Sequence, residues 1–232
     1  MNRSDNTRIG KMDNILFDLD GTLTDPKEGI INSILYSLKK LDISEHSIKE
    51  LDSFIGPPLR DSFIARYALS NDLADKAVEY YREYFSTKGL FENVLYEGIH
   101  ELLERLGAQG YQLFVATSKP QFYAHQILSH FNLDKYFVEI TGSNLDNTRS
   151  NKAEIISHLV SAFNLISANS VMIGDRKHDI QGAKKNSMKS IAVTYGYGSV
   201  QELLIEKPDL IVNNSTELES VFLPELPGFV KT

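Results

Sequence analysis

No cysteine occurs in the 232 residues, which excludes disulfide frameworks, thiolate metal sites and cysteine nucleophiles together. Long apolar runs are also missing. None approaches the roughly 18 residues that mark a membrane span, so no membrane association is expected. Met1 to Lys11 is polar and lacks the apolar centre of a secretion signal. It reads as an N-terminal extension (1–11), and the expected location is cytoplasmic. Positive charge is in short supply: 24 Lys and Arg stand against 31 Asp and Glu, a formal net charge of -7. An acidic surface repels nucleic-acid backbones and anionic lipid, so no nucleic-acid partner is expected. A locally positive pocket for a small anion remains compatible with that surface. Internal repeats and low-complexity segments are absent as well.

What is present is an ordinary globular mixture, 42% hydrophobic and 24% charged. The length suits one core with a smaller inserted unit. Asn14 to Phe17 is a short apolar run that stops at Asp18-Leu19-Asp20-Gly21-Thr22, and reads as a buried strand followed by a tight turn. From Pro26 to about Phe91 the texture is helical. Ile30, Ile34, Leu38 and Leu41 fall on one face, and Leu73 to Phe85 repeats the pattern. Phe54-Ile55-Gly56-Pro57-Pro58-Leu59 interrupts it, since proline cannot continue a helix.

Beyond Glu97, strands alternate with helices. A helix over Ile99, Leu102, Leu103 and Leu106 precedes a strand Leu113–Ala116. Further helices are expected at Gln121–His130, Lys152–Phe163 and Asp179–Asn186. Ile155, Ile156, Leu159, Val160 and Phe163 should face inward on the second of these. Strands are expected at Phe137–Ile140, Val171–Ile173, Ser190–Val193 and Leu210–Val212. Alternation of this kind implies right-handed crossovers and a parallel sheet covered on both faces. The expected fold class is α/β, a Rossmann-like parallel core (12–25 and 94–232) with a helical cap (26–93) inserted after the first strand.

Several of these strands end in polar groups: Asp18 and Asp20, then Thr117 and Ser118, then Asp175. Open parallel sheets place their sites beyond the carboxyl ends of strands, so these residues should converge, with Lys152 arriving from a helix start. Converging carboxylates repel one another unless a cation lies between them. A few hard oxygen ligands together with a phosphate suit Mg²⁺. Lys152 and the Thr117 hydroxyl could then meet phosphoryl oxygens.

This arrangement resembles the haloacid dehalogenase superfamily. Four motifs carry the resemblance, in order, from about Asn14 to Val212: Asp18 through Asp25, Thr117 at the end of an apolar strand, Lys152, and Gly174-Asp175-Arg176-Lys177-His178-Asp179. It implies that Asp18 is a nucleophile forming an aspartyl phosphate. Asp20 would protonate the leaving oxygen and later activate water, and would offer its main-chain carbonyl to Mg²⁺. Asp175 would bind the metal, and Asp179 would orient that ligand or a metal-bound water. A second aspartate favours phosphoryl chemistry over dehalogenation, because an alkoxide needs a proton to leave and a halide does not.

The cap, the Gly56 loop and Thr148 to Lys152 are similar to those of the phosphoglycolate phosphatase and 5'-nucleotidase branch, although Pro26 stands where that branch commonly has serine. A phosphatase for small phosphorylated metabolites is the expected function, as a monomer or homodimer. A phosphomutase and a catalytically silent binding protein are the alternatives. Ser118, Gly56 and Arg60 are candidate substrate contacts. Each also has a plainer reading, as a helix cap, a helix breaker and a solvated side chain respectively. Arg149 is equally a loop residue or a contact. The six histidines show no metal spacing and read as structural or surface groups.

Overall fold

The computed structural model describes residues 9–146 and 148–223, so most of the polar N-terminal segment lies outside it. Ile9 and Met12 are buried, and Lys189 Nζ donates to the Ile9 carbonyl at 2.6 Å.

The first strand, β1 (Asn14–Phe17), is buried at every position, as a strand covered on both faces must be. It is followed by the short β2 (Thr24–Asp25) and by three helices: α1 (Lys27–Lys40), α2 (Leu59–Tyr67) and α3 (Asn71–Tyr84). A 3-10 segment, Ile48–Phe54, separates the first two, and a π-turn, Phe85–Gly89, extends the third. The chain returns through β3 (Val94–Leu95), which pairs antiparallel with β2. Both crossings between core and cap therefore run side by side, with residues 26–93 between them.

The core continues with α4 (Ile99–Ala108), β4 (Gln112–Pro120), α5 (Gln121–His130), β5 (Glu139–Ser143), α6 (Lys152–Phe163), β6 (Ser170–Gly174), α7 (Lys177–Lys185), β7 (Lys189–Val193), α8 (Val200–Glu206), β8 (Leu210–Val212) and α9 (Ser215–Phe222). Six strands form one sheet in the order β5-β4-β1-β6-β7-β8, and every pairing is parallel. No helix among the described residues is long and apolar enough to cross a membrane.

Side-chain alternation divides the core. Leu16, Phe114 and Met172 pack with Ile155, Ile156 and Leu159 of α6 on one face. Ile15, Phe17, Val115 and Ile173 pack with α4 and α5 on the other. Within the cap, α1 buries Ile30, Ile31, Ile34 and Leu38, while Glu28 in its first turn and Lys39 and Lys40 in its last complement the helix dipole. Phe54, Phe63 and Tyr67 form an aromatic knot under the proline break.

Three local expectations change. β5 runs over Glu139–Ser143 rather than residues 137–140, because pairing with β4 sets its limits, from Phe114 opposite Glu139 to Pro120 opposite Ser143. Phe163 is exposed rather than inward: it is the last residue of α6, where its ring meets that of Phe114 edge-on at 5.4 Å. α7 begins at Lys177, two residues early, where the Asp179 carboxylate accepts the Arg176 N–H at 3.0 Å and satisfies an otherwise free first-turn amide.

Candidate active site

The chain leaves β1 for β4 and β5 on one side, then crosses to β6, β7 and β8 on the other. Strand order reverses at β1, and ligands of open α/β sheets bind in the crevice at such a point. Asp18 follows β1, Thr117 lies in β4 and Asp175 follows β6, so topology alone places them at one end of three adjacent strands.

The tight turn after β1 depends on Gly21. Its φ is +84°, and a Cβ there would collide with the Asp175 carboxylate. At Gly174 a Cβ would collide with Asp179, so the backbone of β6 passes directly against the α7 carboxylate. These two close approaches bring carboxylate oxygens of Asp18, Asp175 and Asp179 within 4.8 Å of one another, all three residues buried.

Lys152 stands at the start of α6, where Asn151 caps the helix by accepting the Ala153 N–H at 2.9 Å. Its Nζ lies 2.9 Å from Asp18 Oδ1 and 2.7 Å from Asp179 Oδ1, and donates to the Ala116 carbonyl at 2.9 Å. Asp18 Oδ1 also accepts the Leu19 N–H at 2.7 Å. Burial works against a charged lysine, but the Asp179 and Asp18 carboxylates outweigh it and hold the Lys152 pKa above its ordinary value.

One ammonium does not neutralise three carboxylates. Burial, reinforced by Asp179 and Asp18, pushes Asp175 up to about 8 even though the Tyr197 N–H donates to it at 2.7 Å. Burial likewise raises Asp179, with Lys152 opposing. Carboxyls whose pKa is raised for want of a counter-charge suit a divalent cation, and an all-oxygen donor set suits a hard one. The residues therefore fit a metal ion.

Asp20 stands apart from this cluster. Its Oδ2 accepts from Lys119 Nζ at 2.5 Å, while Oδ1 is buried without a hydrogen-bond partner among the described residues. Burial raises its pKa, Lys119 lowers it and Asp18 raises it again; the net shift is upward.

These groups line a cavity of about 370 Å³ between core and cap. Its core side carries Asp18, Asp20, Thr117, Ser118, Lys152, Asp175 and Asp179. Its cap side carries Phe54, Ile55, Gly56, Leu59, Val78, Tyr81 and Phe85. Arg60 also lines it, but its Nε is committed to Asp75 at 2.6 Å and the side chain is 41% exposed. His178, read from sequence as structural or surface, is exposed and also lines the cavity. Arg149 hydrogen-bonds to Gly142 O and Gln121 Oε1 and is a loop brace.

Sequence reasoning passed over Lys119, Arg176 and Tyr197. Arg176 NH1 donates to the cap carbonyl of Ile55 at 2.7 Å, and the Tyr197 hydroxyl bonds Asp25 at the crossing into the cap. Lys119 carried a signal, as a cation in the same strand end as Thr117, and Arg176 lay within the fourth motif without a role of its own. The contacts of Arg176 and Tyr197 are pairings distant in sequence.

Residues 15–193 match the haloacid dehalogenase-like hydrolase family. A 5'-nucleotidase of Pseudomonas aeruginosa is 48% identical over 195 residues, spanning 84% of this chain and 88% of that protein. The tyrosine-protein kinase PtkA of Mycobacterium tuberculosis is 34% identical over 184 residues; the match takes in 79% of this chain but only 62% of PtkA. The crystal structure of a predicted phosphatase from Clostridium acetobutylicum superposes with a TM-score of 0.86 at 46% identity, covering 92% of this chain and 99% of that one. The chain belongs to the haloacid dehalogenase-like hydrolases and is a phosphoric monoester hydrolase.

Proposed function

We propose that the protein is a magnesium-dependent phosphatase of small-metabolite phosphate monoesters, with nucleoside monophosphates as its substrate class, acting through an aspartyl phosphate on Asp18. The observation that carries this reading is the arrangement around Asp18. Its Oδ1 is held by Lys152 and the Leu19 amide, and Oδ2 has no hydrogen bond among the described residues, so it is the oxygen left to attack phosphorus.

Asp18, Asp175 and Asp179 would hold Mg²⁺, with the Asp20 carbonyl as a further ligand. The bound ion would reduce charge repulsion between nucleophile and phosphate. Lys152 and Thr117 meet the phosphoryl oxygens and stabilise charge that builds as the bond to the leaving oxygen breaks. Asp20, whose pKa burial raises, donates a proton to that oxygen. It then takes one from the water that cleaves the acyl phosphate, so enzyme and proton inventory return to their starting state. The cap over the cavity excludes bulk water while Asp18 attacks.

The nucleotide preference is supported by the cap wall and by likeness to the nucleotidase. A cavity of about 370 Å³ walled by Phe54, Leu59, Val78, Tyr81 and Phe85 offers apolar surface for a planar base. Tyr81 is buried, its hydroxyl makes no hydrogen bond among the described residues, and it would read a polar edge of the leaving group.

The test is release of inorganic phosphate from a metabolite panel with Mg²⁺, with EDTA and after restoring Mg²⁺. Nucleoside monophosphates should be turned over fastest. Full activity in EDTA would remove the metal from the mechanism, and preference for phosphoglycolate would reverse the substrate assignment.

A further inference from the structure

Lys119 has no part in the chemistry above, yet it is one of the most enclosed cations in the molecule, with a side chain 7% exposed. It rises from the carboxyl end of β4, and its Nζ donates to Asp20 Oδ2 at 2.5 Å. On the other side Nζ lies 4.9 Å from the centre of the Phe85 ring. Phe85 belongs to the cap and is itself fixed, stacked on Tyr81 at 5.3 Å and edge-on to Tyr123 of the core at 5.4 Å. The ammonium is thus held between a core carboxylate and a cap aromatic, a favourable place for a cation facing a ring.

The two oxygens of Asp20 are treated differently. Oδ2 is held by Lys119, while Oδ1 is buried and unpartnered among the described residues, in a side chain that lines the cavity. A buried carboxylate oxygen without a donor is costly, so the arrangement commits one oxygen to the scaffold and leaves the other without a donor among the described residues. An aspartate without such an anchor samples a broad range of terminal torsion angles. A proton donor has to lie within hydrogen-bond reach of the atom it protonates.

We infer that Lys119 is a positioning residue for proton transfer: it ties Asp20 through Oδ2 and so fixes the carboxyl from which the proton passes to the leaving-group oxygen, and Phe85 completes its seat from the cap. The step itself is unchanged. The Asp20 proton goes to the oxygen of the breaking P–O bond, and the bonding pair leaves with that oxygen as the phosphoryl group passes to Asp18. Lys119 forms no bond to substrate.

This inference rests on the aspartyl-phosphate reading and is separable from it by leaving-group chemistry. Wild type and Lys119→Met are compared in kcat/KM on phosphate monoesters that share a compact leaving group but differ in its basicity, from simple alkyl to dinitrophenyl phosphate. That ratio covers events up to departure of the leaving group and omits the later hydrolysis. An alkoxide cannot leave without a proton, whereas dinitrophenolate can.

The variant should lose on the order of 10²-fold on the alkyl ester, within the range of general acid catalysis, and only severalfold on the dinitrophenyl ester. Its rates should fall more steeply with leaving-group basicity than those of wild type. Retained turnover of the activated ester also certifies that the variant is folded. A loss equal across the series, as for a lysine that only binds phosphate or supports the fold, overturns the inference, and so does an unchanged slope. Failure of the wild type to release phosphate from any member would count against the proposed function, before the variant is considered.

Discussion

On the core side of the cavity, Asp18, Asp175, Asp179 and Lys152 are all buried and linked by charge. On the cap side the lining is mostly apolar, with Phe54, Ile55, Leu59, Val78, Tyr81 and Phe85 beside Arg60, Asp61 and Arg82. Charges of the cap are paired with one another, as in Arg60 with Asp75 beside the cavity and Arg66 with Glu45 away from it. A low-dielectric, charge-dense floor stabilises developing charge on phosphorus and its oxygens. An apolar roof contributes contact area and selectivity instead. Damage to the floor should therefore appear in turnover, and damage to the roof in substrate discrimination.

The largest effect is expected from Asp18→Asn. The amide keeps the shape of the side chain but cannot form the acyl phosphate, so phosphate release should fall by more than about 10⁴-fold. Retained activity would move the chemistry away from the floor altogether. Asp175→Asn comes next, with turnover reduced by at least about 10²-fold and a higher Mg²⁺ requirement.

Its stability should move the other way. Burial pushes the Asp175 carboxyl up to about 8 from an unfolded value of 3.8. Between those values the folded chain holds a proton that the unfolded chain has released, so metal-free wild type loses stability as pH rises through the interval. The asparagine variant lacks this loss. In EDTA, above the upper value, it should melt at a higher temperature than wild type, and a lower melting point would contradict the charge frustration inferred for the floor.

A smaller effect belongs to the roof. Tyr81→Phe removes a hydroxyl that makes no hydrogen bond among the described residues while preserving the stack on Phe85. Loss of one hydrogen bond to substrate, about 1 kcal/mol, should raise KM for a nucleoside monophosphate roughly fivefold and leave kcat nearly constant. A fall in kcat instead would place Tyr81 with the floor.

The floor was more legible in sequence than the roof, for a physical reason. Asp18, Thr117 and Asp175 sit where apolar strand runs stop, and a parallel sheet brings strand ends together whatever their separation along the chain. The pairing of Lys119 with Asp20 depends on which way one side chain turns at the end of β4, which no periodicity encodes. Arg176 reaches the Ile55 carbonyl only because the cap lies over the core. The helices α8 and α9 were missed although their signals were present. Ser199 with Glu202, and Asn214 with Glu217, are cap residues followed three positions later by glutamate, but both helices are short and expose polar faces. The limits of β5 were misjudged because hydrophobic content marks what a strand buries, whereas its neighbour's pairing marks where it ends.

The smallest expected effect lies on the outside of the cap, at Glu45. Arg66 donates to its carboxylate from Nε at 2.8 Å and from NH2 at 2.9 Å, with the Tyr67 hydroxyl and the Ser47 N–H as further donors. The Arg66 guanidinium outweighs the opposing cost of burial and holds the Glu45 carboxyl far below the usual glutamate range. A depressed folded pKa means that the stabilisation is present above the unfolded value of 4.5 and is lost as pH falls below it. Glu45→Gln should lower the melting temperature at neutral pH by about 2–4 °C, as expected for about 1 kcal/mol in a chain of this size. The gap should narrow on acidification, as wild type loses what the variant never had. Turnover should be unchanged, because Glu45 touches neither the cavity lining nor the carboxylate cluster. A drop in kcat on the scale of Asp175→Asn would show that the outer cap governs the chemistry, and the division between floor and roof would fail.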